Sequence, residues 1–353
     1  MVVVIHSGVV WDQSLQLSFR ETTNCYKVLP TGRTSMGWSY SNARVIVAGG
    51  AGFIGSHLCE ALINLGSEVI SVDNYLTGCA ANLGALAGQP RFHSLFHDVT
   101  TPLTSDGDAI FNLACPASPI WYQRDPVQTM RVNILGSLNL LELARHHNAR
   151  ILQASTSEVY GDPASHPQNE SYWGNVNPIG VRACYNEGKR SAESLFFDYW
   201  RMHRVAIKVA RIFNTYGPRM LPNDGRVVST LIVQALRGEP ITLFGDGRQT
   251  RSFAYVTDVV DALVRLQTTP IEVTGPINIG NPEEVTMSHL AERILELTGS
   301  RSKITFLPLP PDDPRQRQPD ITLAQTTLGW APLVQLDEGL RETIDYFRVS
   351  LAE

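Results

Sequence analysis

A glycine-rich turn between a short apolar run and a helical pattern constrains this chain more than any other feature. Val45–Ala48 is apolar and mostly β-branched, as expected for a buried parallel strand. Gly49-Gly50-Ala51-Gly52-Phe53-Ile54-Gly55 follows, and apolar residues then recur at helical spacing over 56–65. Glycines at this spacing permit a tight turn, close approach of a pyrophosphate to the backbone, and close packing of helix on strand. The segment therefore predicts a dinucleotide-phosphate site at the start of a helix.

Strand and helix patterns alternate beyond this turn, which indicates βαβ units. Further strands are predicted at 68–72, 109–113, 151–154 and 206–210, and further helices at 127–147 and 185–203. We therefore expect an α/β fold with a doubly wound parallel sheet and a smaller mixed C-terminal substrate domain. The predicted domains are an N-terminal extension outside the catalytic core (1–43), a dinucleotide-binding domain (44–219, with a return at 252–275) and a substrate domain (220–251 and 276–353).

Composition excludes several other classes of protein. The 353 residues include 29 Lys and Arg against 34 Asp and Glu, and this mildly acidic balance predicts no nucleic-acid partner. The five cysteines form no CxxC pair, so neither a metal site nor a disulfide framework is predicted. No run reaches the roughly 18 apolar residues of a membrane span. We therefore expect a cytoplasmic protein without a membrane partner.

Two acidic residues after predicted strands suggest which dinucleotide binds. Asp73 ends the strand that lies about 20 residues after the glycines, where a carboxylate accepts hydrogen bonds from the adenine ribose. A 2′-phosphate would meet a like charge there, which favours NAD over NADP. The alternative for Asp73 is an Asx turn with Asn74. Asp98 follows the next apolar stretch, where it either binds the adenine amino group or caps its own loop.

Residues of two further segments carry the predicted chemistry. Tyr185 and Lys189 are four residues apart, on one face of a helix. A free tyrosine has a pKa near ~10, and a neighbouring ammonium, reinforced by a nicotinamide cation, lowers that pKa toward the range of a useful base. Thr156 and Glu158 follow a predicted strand at the sheet edge where ligands bind in such folds. Thr156 is expected to hydrogen bond at the reacting oxygen, and Glu158 to place a carboxylate beside a sugar.

Residues 44–350 resemble the extended short-chain dehydrogenase/reductase family, which has a Rossmann fold, and within it the UDP-glucuronate decarboxylases. The resemblance rests on GGAGFIG, Asp73, the YxxxK pair and further segments. These segments are RIFNTYGPR (211–219), PASP (116–119), TSEVYGDP (156–163), YWG (172–174), NPIG (177–180), DGRVVS (224–229) and QTRSF (249–253). The departures are Asn186, where the family usually has Asp, and Asn175, where it usually has His and a substrate contact could change.

The resemblance implies a role for each candidate residue. Thr156, Tyr185 and Lys189 would be the catalytic triad, and Glu158 would act with them. The residues expected to contact NAD are Gly49, Gly52, Phe53, Ile54, Gly55, Asp73, Asn74, Asp98, Leu113, Tyr185 and Lys189. Those expected to bind the UDP-sugar are Pro116, Ser157, Asn214, Arg226, Arg251 and Arg317, with Arg315 as the alternative to Arg317.

The implied reaction is decarboxylation of UDP-glucuronate to UDP-xylose through a 4-keto intermediate, with NAD+ reduced and then reoxidised. A 4,6-dehydratase is disfavoured because Ser157 replaces the acidic residue that dehydratases of the family use. A UDP-sugar 4-epimerase is the other enzymatic alternative, and a catalytically inactive NAD-binding regulatory protein is the non-enzymatic one. Apolar residues on more than one side of the helices at 127–147 and 185–203 suggest a homodimer.

Overall fold

The computed structural model describes residues 38–309 and 316–352. The strands that these residues form are β1 (Arg44–Ala48), β2 (Glu68–Asp73), β3 (Phe92–Phe96), β4 (Ala109–Asn112), β5 (Arg150–Thr156), β6 (Ile207–Ile212), β7 (Thr215–Tyr216), β8 (Ile241–Phe244), β9 (Thr250–Ser252), β10 (Ala254–Tyr255), β11 (Ile277–Ile279), β12 (Glu284–Thr286) and β13 (Ile304–Leu307). The helices are α1 (Phe53–Asn64), α2 (Pro119–Tyr122), α3 (Pro126–Arg131), α4 (Ser137–His147), α5 (Ala183–His203), α6 (Val227–Arg237), α7 (Val256–Thr268), α8 (Met287–Thr298), α9 (Thr322–Leu328) and α10 (Leu336–Ser350).

Seven of these strands form one parallel sheet in the order β11-β6-β5-β4-β1-β2-β3. Val45 of β1 pairs with Val69 of β2 on one side and with Ala109 of β4 on the other. The chain therefore proceeds outward from β1 in both directions, which confirms the predicted doubly wound α/β fold. The crevice between β1 and β4, at their carboxyl ends, is the place where such sheets bind ligands.

Helices cover both faces of the sheet, which explains why its central strands are apolar on both sides. Helices α4 and α5 pack together on one face, where Ile46, Ile110 and Ile151 of the sheet meet Leu140 and Phe196 of the helices. Helices α1 and α7 pack against each other elsewhere in the fold. Burial of this apolar area is the main stabilising contribution to the domain.

The predicted helix over 127–147 is interrupted. Helix α3 is followed by one wide turn, Val132–Gly136, before α4 begins. Within that turn the Asn133 side chain donates a hydrogen bond to the Thr129 carbonyl at 2.9 Å and lies directly against Gly188 of α5. The apolar pattern runs through without a break, so it gave no sign of this widened turn.

The structure shows contacts close to two of the predicted domain boundaries. Ile277 of β11 pairs with Ala210 of β6, so this strand, which lies within the range predicted for the substrate domain, is part of the main sheet. A three-residue strand is too short to show a periodicity of its own. At the other end, Tyr40 is buried and its hydroxyl donates to the Val264 carbonyl at 3.0 Å. Tyr40 therefore packs against helix α7. Residues 1–37 of the predicted extension lie outside the described residues.

Several of the remaining strands and helices contribute to the cavity at the carboxyl ends of the sheet, among them β8, β9, α6 and α8. Strands β8 and β13 pair in parallel, β9 and β12 pair antiparallel, and α6 packs on α8. The division into two domains remains a prediction. In the described ranges no helix combines the length and the hydropathy needed to cross a membrane.

Candidate active site

One cavity of about 680 Å³ opens at the carboxyl ends of the central strands. Every residue that the sequence analysis assigns to catalysis, cofactor or substrate lines this cavity, apart from Arg315, which lies outside the described residues. Those residues are Gly49, Gly52, Phe53, Ile54, Gly55, Asp73, Asn74, Asp98, Leu113, Pro116, Thr156, Ser157, Glu158, Tyr185, Lys189, Asn214, Arg226, Arg251 and Arg317. Segments that are distant in the sequence therefore share one site.

The glycine turn is shaped by steric constraints. Gly49 has a φ of +80°, and a Cβ there would lie 2.8 Å from the carbonyl carbon of Leu113. A Cβ at Gly55 would lie 2.1 Å from the Gly49 oxygen. Helix α1 then begins at Phe53 after Gly52, which has no side chain to cap the first turn. The turn thus brings the backbone N–H groups of a helix start to the cavity, as a pyrophosphate site requires.

Asp73 is nearly buried beside this turn. Its carboxylate accepts hydrogen bonds from the N–H groups of Ala51, at 2.9 Å, and Tyr75, at 2.8 Å. Burial raises the pKa of Asp73, and these backbone donors oppose that rise. Each carboxylate oxygen has a second lone pair, so this arrangement still allows hydrogen bonds from ribose hydroxyls. Asp73 can therefore stabilise its local turn and also accept a hydrogen bond from the ribose, so the two predicted roles are compatible.

Asp98 makes the contacts expected of a loop cap. Its Oδ1 accepts from the backbone N–H and the hydroxyl of Thr100, and its Oδ2 accepts from the Asn74 side chain at 3.1 Å. Both Asp98 and Asn74 still line the cavity. Loop capping is thus the role visible in the structure, and an adenine contact remains a prediction.

The YxxxK pair lies deep in the cavity. Tyr185 hydrogen bonds to the Thr156 side chain, whose Oγ1 also accepts from the Glu158 N–H at 3.2 Å. Lys189 is buried, and its Nζ donates to the Ala154 carbonyl at 2.9 Å and lies 5.9 Å from the centroid of the Tyr185 ring. Strand β5 and helix α5 together position these groups.

Burial is the largest influence on the pKa of Tyr185 among the groups of this chain. Burial raises the pKa of its phenol well above the ordinary value, and the hydrogen bond with Thr156 opposes that rise only in part. Burial also lowers the pKa of Lys189, whose ammonium is directed to a carbonyl oxygen. The predicted lowering further included the positive charge of the nicotinamide ring, which is not a group of this chain.

Glu158 is a carboxylate surrounded by arginines. Its Oε1 accepts from Arg317 Nη1 at 2.5 Å, and its Oε2 lies 3.8 Å from Arg182 Nη1. Burial alone would raise the pKa of Glu158, but Arg317, Arg182 and Arg251 outweigh burial and hold the pKa below its ordinary value. The cavity therefore contains a carboxylate that stays ionised near neutral pH.

Two other predicted substrate residues, Arg226 and Arg251, add positive charge to the cavity. Arg226 forms an ion pair with Asp224, and its guanidinium lies 5.6 Å from the ring centroid of Phe53, at the start of α1. Arg251 is buried, and its Nη1 donates to the Thr250 carbonyl at 2.8 Å. These cations offer a counter-charge for phosphate groups in a chain of net charge -5.

Among the cavity residues that sequence reasoning missed, two lie beside the predicted catalytic groups. Tyr122 of α2 stacks on Tyr185 with ring centroids 5.0 Å apart and an angle of 4° between the planes. Its buried hydroxyl has no hydrogen-bond partner among residues 38–309 and 316–352. Arg182 precedes Tyr185 by three positions, a helical spacing that the sequence could have revealed. Asn175 is exposed and is not part of the cavity wall, so its departure from the family pattern alters no wall contact.

Comparison with known proteins decides the family. The profile of the NAD dependent epimerase/dehydratase family matches residues 45–280. The chain belongs to this family. It is 58% identical over 312 residues to UDP-glucuronic acid decarboxylase 5 of Arabidopsis thaliana, covering 88% of this chain and 91% of the relative. It is 52% identical over 304 residues to UDP-glucuronic acid decarboxylase 1 of Danio rerio, covering 86% and 72%.

A solved structure of a family member has the same fold. UDP-glucuronic acid 4-epimerase from Bacillus cereus, in complex with UDP-glucuronic acid and NAD, superposes with a TM-score of 0.78 at 31% identity. The match covers 87% of this chain and 99% of the epimerase. The fold is thus shared by members with different activities, and the site residues must distinguish between them.

Proposed function

We propose that this protein decarboxylates UDP-glucuronate to UDP-xylose through a 4-keto intermediate, with NAD as a resident cofactor. The observation that carries the proposal is the ion pair between Glu158 and Arg317, placed in the same cavity as Thr156 and Tyr185. The identity of 58% to a UDP-glucuronic acid decarboxylase supports it. The ion pair is a feature of the site itself, whereas the identity extends over 88% of the chain.

The glycine turn and Asp73 fit NAD. The close approach of Gly49 to Leu113 leaves no room for a side chain at the turn, and the Asp73 carboxylate is positioned by two backbone N–H groups. Lys189 and Tyr185 would hold the nicotinamide end. When bound, NAD supplies a hydride acceptor for the sugar C4 and later the hydride donor that restores it.

The chain's own groups move the protons. Tyr185 Oη, in its phenolate form, would accept the proton of the C4 hydroxyl as C4 is oxidised, and the sugar would acquire a C4 ketone. The C5 carboxylate, now β to that ketone, leaves as carbon dioxide, and its bonding electrons pass into a C4–C5 enolate. Thr156 and Tyr185 donate hydrogen bonds to the enolate oxygen. The enolate would take up one proton from solvent at C5, and Tyr185 would return its proton to the C4 oxygen when that carbon is reduced, which gives the C4 hydroxyl of UDP-xylose.

The two alternative enzymatic reactions fit the site less well. A 4,6-dehydration needs a strong general acid after Thr156, and Ser157 supplies only an alcohol. A 4-epimerisation has no need for a buried carboxylate such as Glu158, which the arginines hold in its charged form. An inactive NAD-binding protein would have no need to combine Thr156, Tyr185 and Lys189 at one end of the cavity.

Incubation with UDP-glucuronate, followed by mass spectrometry of the nucleotide sugar, tests the proposal. We expect a product lighter by one carbon dioxide, and no conversion of UDP-glucose or UDP-galactose. Tyr185→Phe is the control, since it should lower turnover by roughly a thousandfold while NAD stays bound. An isomer of unchanged mass, or converted UDP-glucose, would identify an epimerase instead.

We also propose a cytoplasmic homodimer. Exposed apolar side chains lie on the α3 to α5 region, namely Val127, Leu135 and Met202, and a second copy could cover them. Light scattering after size exclusion tests the dimer, with Met202→Glu as the variant expected to weaken it. Cell fractionation tests the location.

A further inference from the structure

The ion pair between Glu158 and Arg317 joins residues 159 positions apart. Glu158 lies on the short helical turn Ser157–Tyr160, which follows β5 directly. Arg317 lies on an irregular segment, 316–320, that no helix or strand of the described residues contains. The position of the arginine must therefore be fixed by contacts other than regular secondary structure.

Gln168 provides the first of these contacts. Its backbone N–H donates to the Gln318 carbonyl at 2.9 Å, and its carbonyl accepts from the Asp320 N–H at 2.8 Å. Its side chain is fully buried and accepts from the Gln318 N–H, also at 2.9 Å. Gln168 thus holds the backbone immediately after Arg317 on both sides of Pro319.

Asn278 of β11 connects this arrangement to the turn that carries Glu158. Its buried side chain donates to the carbonyl oxygens of Gln168, at 3.0 Å, and Asp320, at 3.1 Å. Its Oδ1 accepts from the Tyr160 hydroxyl at 2.7 Å. Tyr160 ends the turn on which Glu158 lies. One amide group is therefore bonded to both segments that form the ion pair.

The Asn278 side chain acts separately from the sheet. Strand β11 is held to β6 by backbone pairing, in which the Asn278 side chain takes no part. Its hydrogen-bond partners lie on neither strand. Two of them, Gln168 and Asp320, lie in segments that form no helix or strand. Removing the amide would thus loosen the arginine segment, which Gln168 still contacts, while the sheet ladder stays in place.

We propose that Asn278 is a positioning residue that holds Arg317 against Glu158 during decarboxylation, with Gln168 as its partner in that role. The proposal rests on the proposed function, because it assigns the ion pair to that reaction. The groups that face Glu158 are the cations of Arg317, Arg182 and Arg251 and the phenols of Tyr185 and Tyr122. If Arg317 is displaced, the charged form of Glu158 loses its nearest counter-charge.

Asn278→Asp is the main test, because it keeps the size of the side chain and the acceptor for Tyr160 but removes both donors. We expect kcat for UDP-glucuronate to fall at least tenfold with NAD content unchanged, and the acidic limb of the kcat profile to move to higher pH. Gln168→Leu removes one side-chain acceptor from the same segment. It should also lower kcat and move the acidic limb to higher pH, but by smaller amounts than Asn278→Asp.

Gln267→Leu is the matched control. Gln267 is a fully buried amide whose hydrogen bonds go to the carbonyl oxygens of Ile110 and Arg150, outside the cavity wall. It should lower the melting temperature without moving the acidic limb. In protein that already carries Arg317→Lys, Asn278→Asp should have little further effect. It should lower kcat by less than an additional threefold.

The outcomes separate the two proposals. If wild-type protein leaves UDP-glucuronate unchanged, the proposed function fails before any variant is compared. Suppose that wild-type protein forms UDP-xylose. The positioning role is then wrong if Asn278→Asp keeps the wild-type pH profile, or if the double variant loses kcat by the full product of the two single losses. The proposed function stands in either case.

Discussion

Tyr122 and Tyr185 lie face to face at the bottom of the cavity, with ring centroids 5.0 Å apart and planes nearly parallel. Both rings are buried, so each limits the rotation of the other. Tyr122 comes from α2, directly after the loop that follows β4, whereas Tyr185 comes from α5. The phenol proposed to be catalytic is thus held in plane by a ring from a different segment, in addition to its hydrogen bond with Thr156.

Tyr122→Leu should therefore disturb catalysis more than Tyr122→Phe does. An aromatic pair contributes about 0.5–1.5 kcal/mol beyond its buried area, which corresponds to a kcat lower by up to about tenfold if Tyr185 loses its orientation. The Phe variant keeps the stacking and removes a buried hydroxyl without a partner among the described residues. We expect Phe to unfold no more easily than wild type and to raise KM more than it lowers kcat. Equal kcat values for Leu and Phe would contradict the orienting role.

The sequence predicted those parts of the site that local patterns determine. The turn at Gly49 lies between a strand and a helix that are contiguous in sequence, and the YxxxK pair lies on one helical face, so spacing alone placed both. The sequence did not indicate a role for Tyr122, because that role depends on stacking with a residue 63 positions later. The position of Asn278 against Gln168 is likewise set by tertiary packing, which no periodicity reports.

The same limit applies to the pKa of Tyr185 and to strand β11. The pKa of Tyr185 was predicted from its charged neighbour, but burial is the largest influence on it. Burial of one side chain depends on how α2, β5 and α5 meet, and spacing along α5 does not contain that information. Strand β11 was not predicted, because its three residues become a strand only by pairing with β6.

Glu158→Gln should lower stability in a pH-dependent way. The folded-state pKa of Glu158 lies below its ordinary value, so its charge stabilises the fold above the unfolded pKa of about 4.3, and that contribution is lost as pH falls through the folded value. Removing one partner of a buried ion pair costs about 3 kcal/mol.

Urea unfolding of wild type and Glu158→Gln between pH 4 and pH 8 measures this difference. We expect the difference in the free energy of unfolding to be constant from pH 8 to about pH 5.5 and to narrow below about pH 5. Glu142→Gln, at an exposed carboxylate paired with Arg145, is a control that should cost less than about 1 kcal/mol. A difference that grows toward low pH would mean that Glu158 is not held in its charged form.

Asp73→Asn should weaken NAD binding and relax the discrimination against NADP. The amide cannot accept from both Ala51 and Tyr75 while also bonding a ribose, and it carries no charge to repel a 2′-phosphate. Loss of a hydrogen bond to a charged group costs about 1.5–3 kcal/mol, which is roughly 10- to 100-fold in the dissociation constant. Calorimetric titration of cofactor-stripped protein with NAD and NADP measures both quantities. Asp98→Asn should change them less, because its carboxylate is engaged by Thr100 and Asn74.

Gly49→Ala should abolish NAD retention, whereas Gly84→Ala should leave it unchanged. Alanine at 49 would adopt a left-handed backbone and place its Cβ 2.8 Å from the Leu113 carbonyl carbon. The left-handed conformation alone costs about 1–2 kcal/mol, and the contact is with backbone that cannot rotate away. At Gly84 a Cβ meets no heavy atom of the described chain within 4 Å. NAD content after gel filtration and the melting temperature distinguish the two variants. Because both changes add one methyl group, a normal NAD content in Gly49→Ala would show that the turn can relax, and the pyrophosphate site would then have to be sought elsewhere along the cavity.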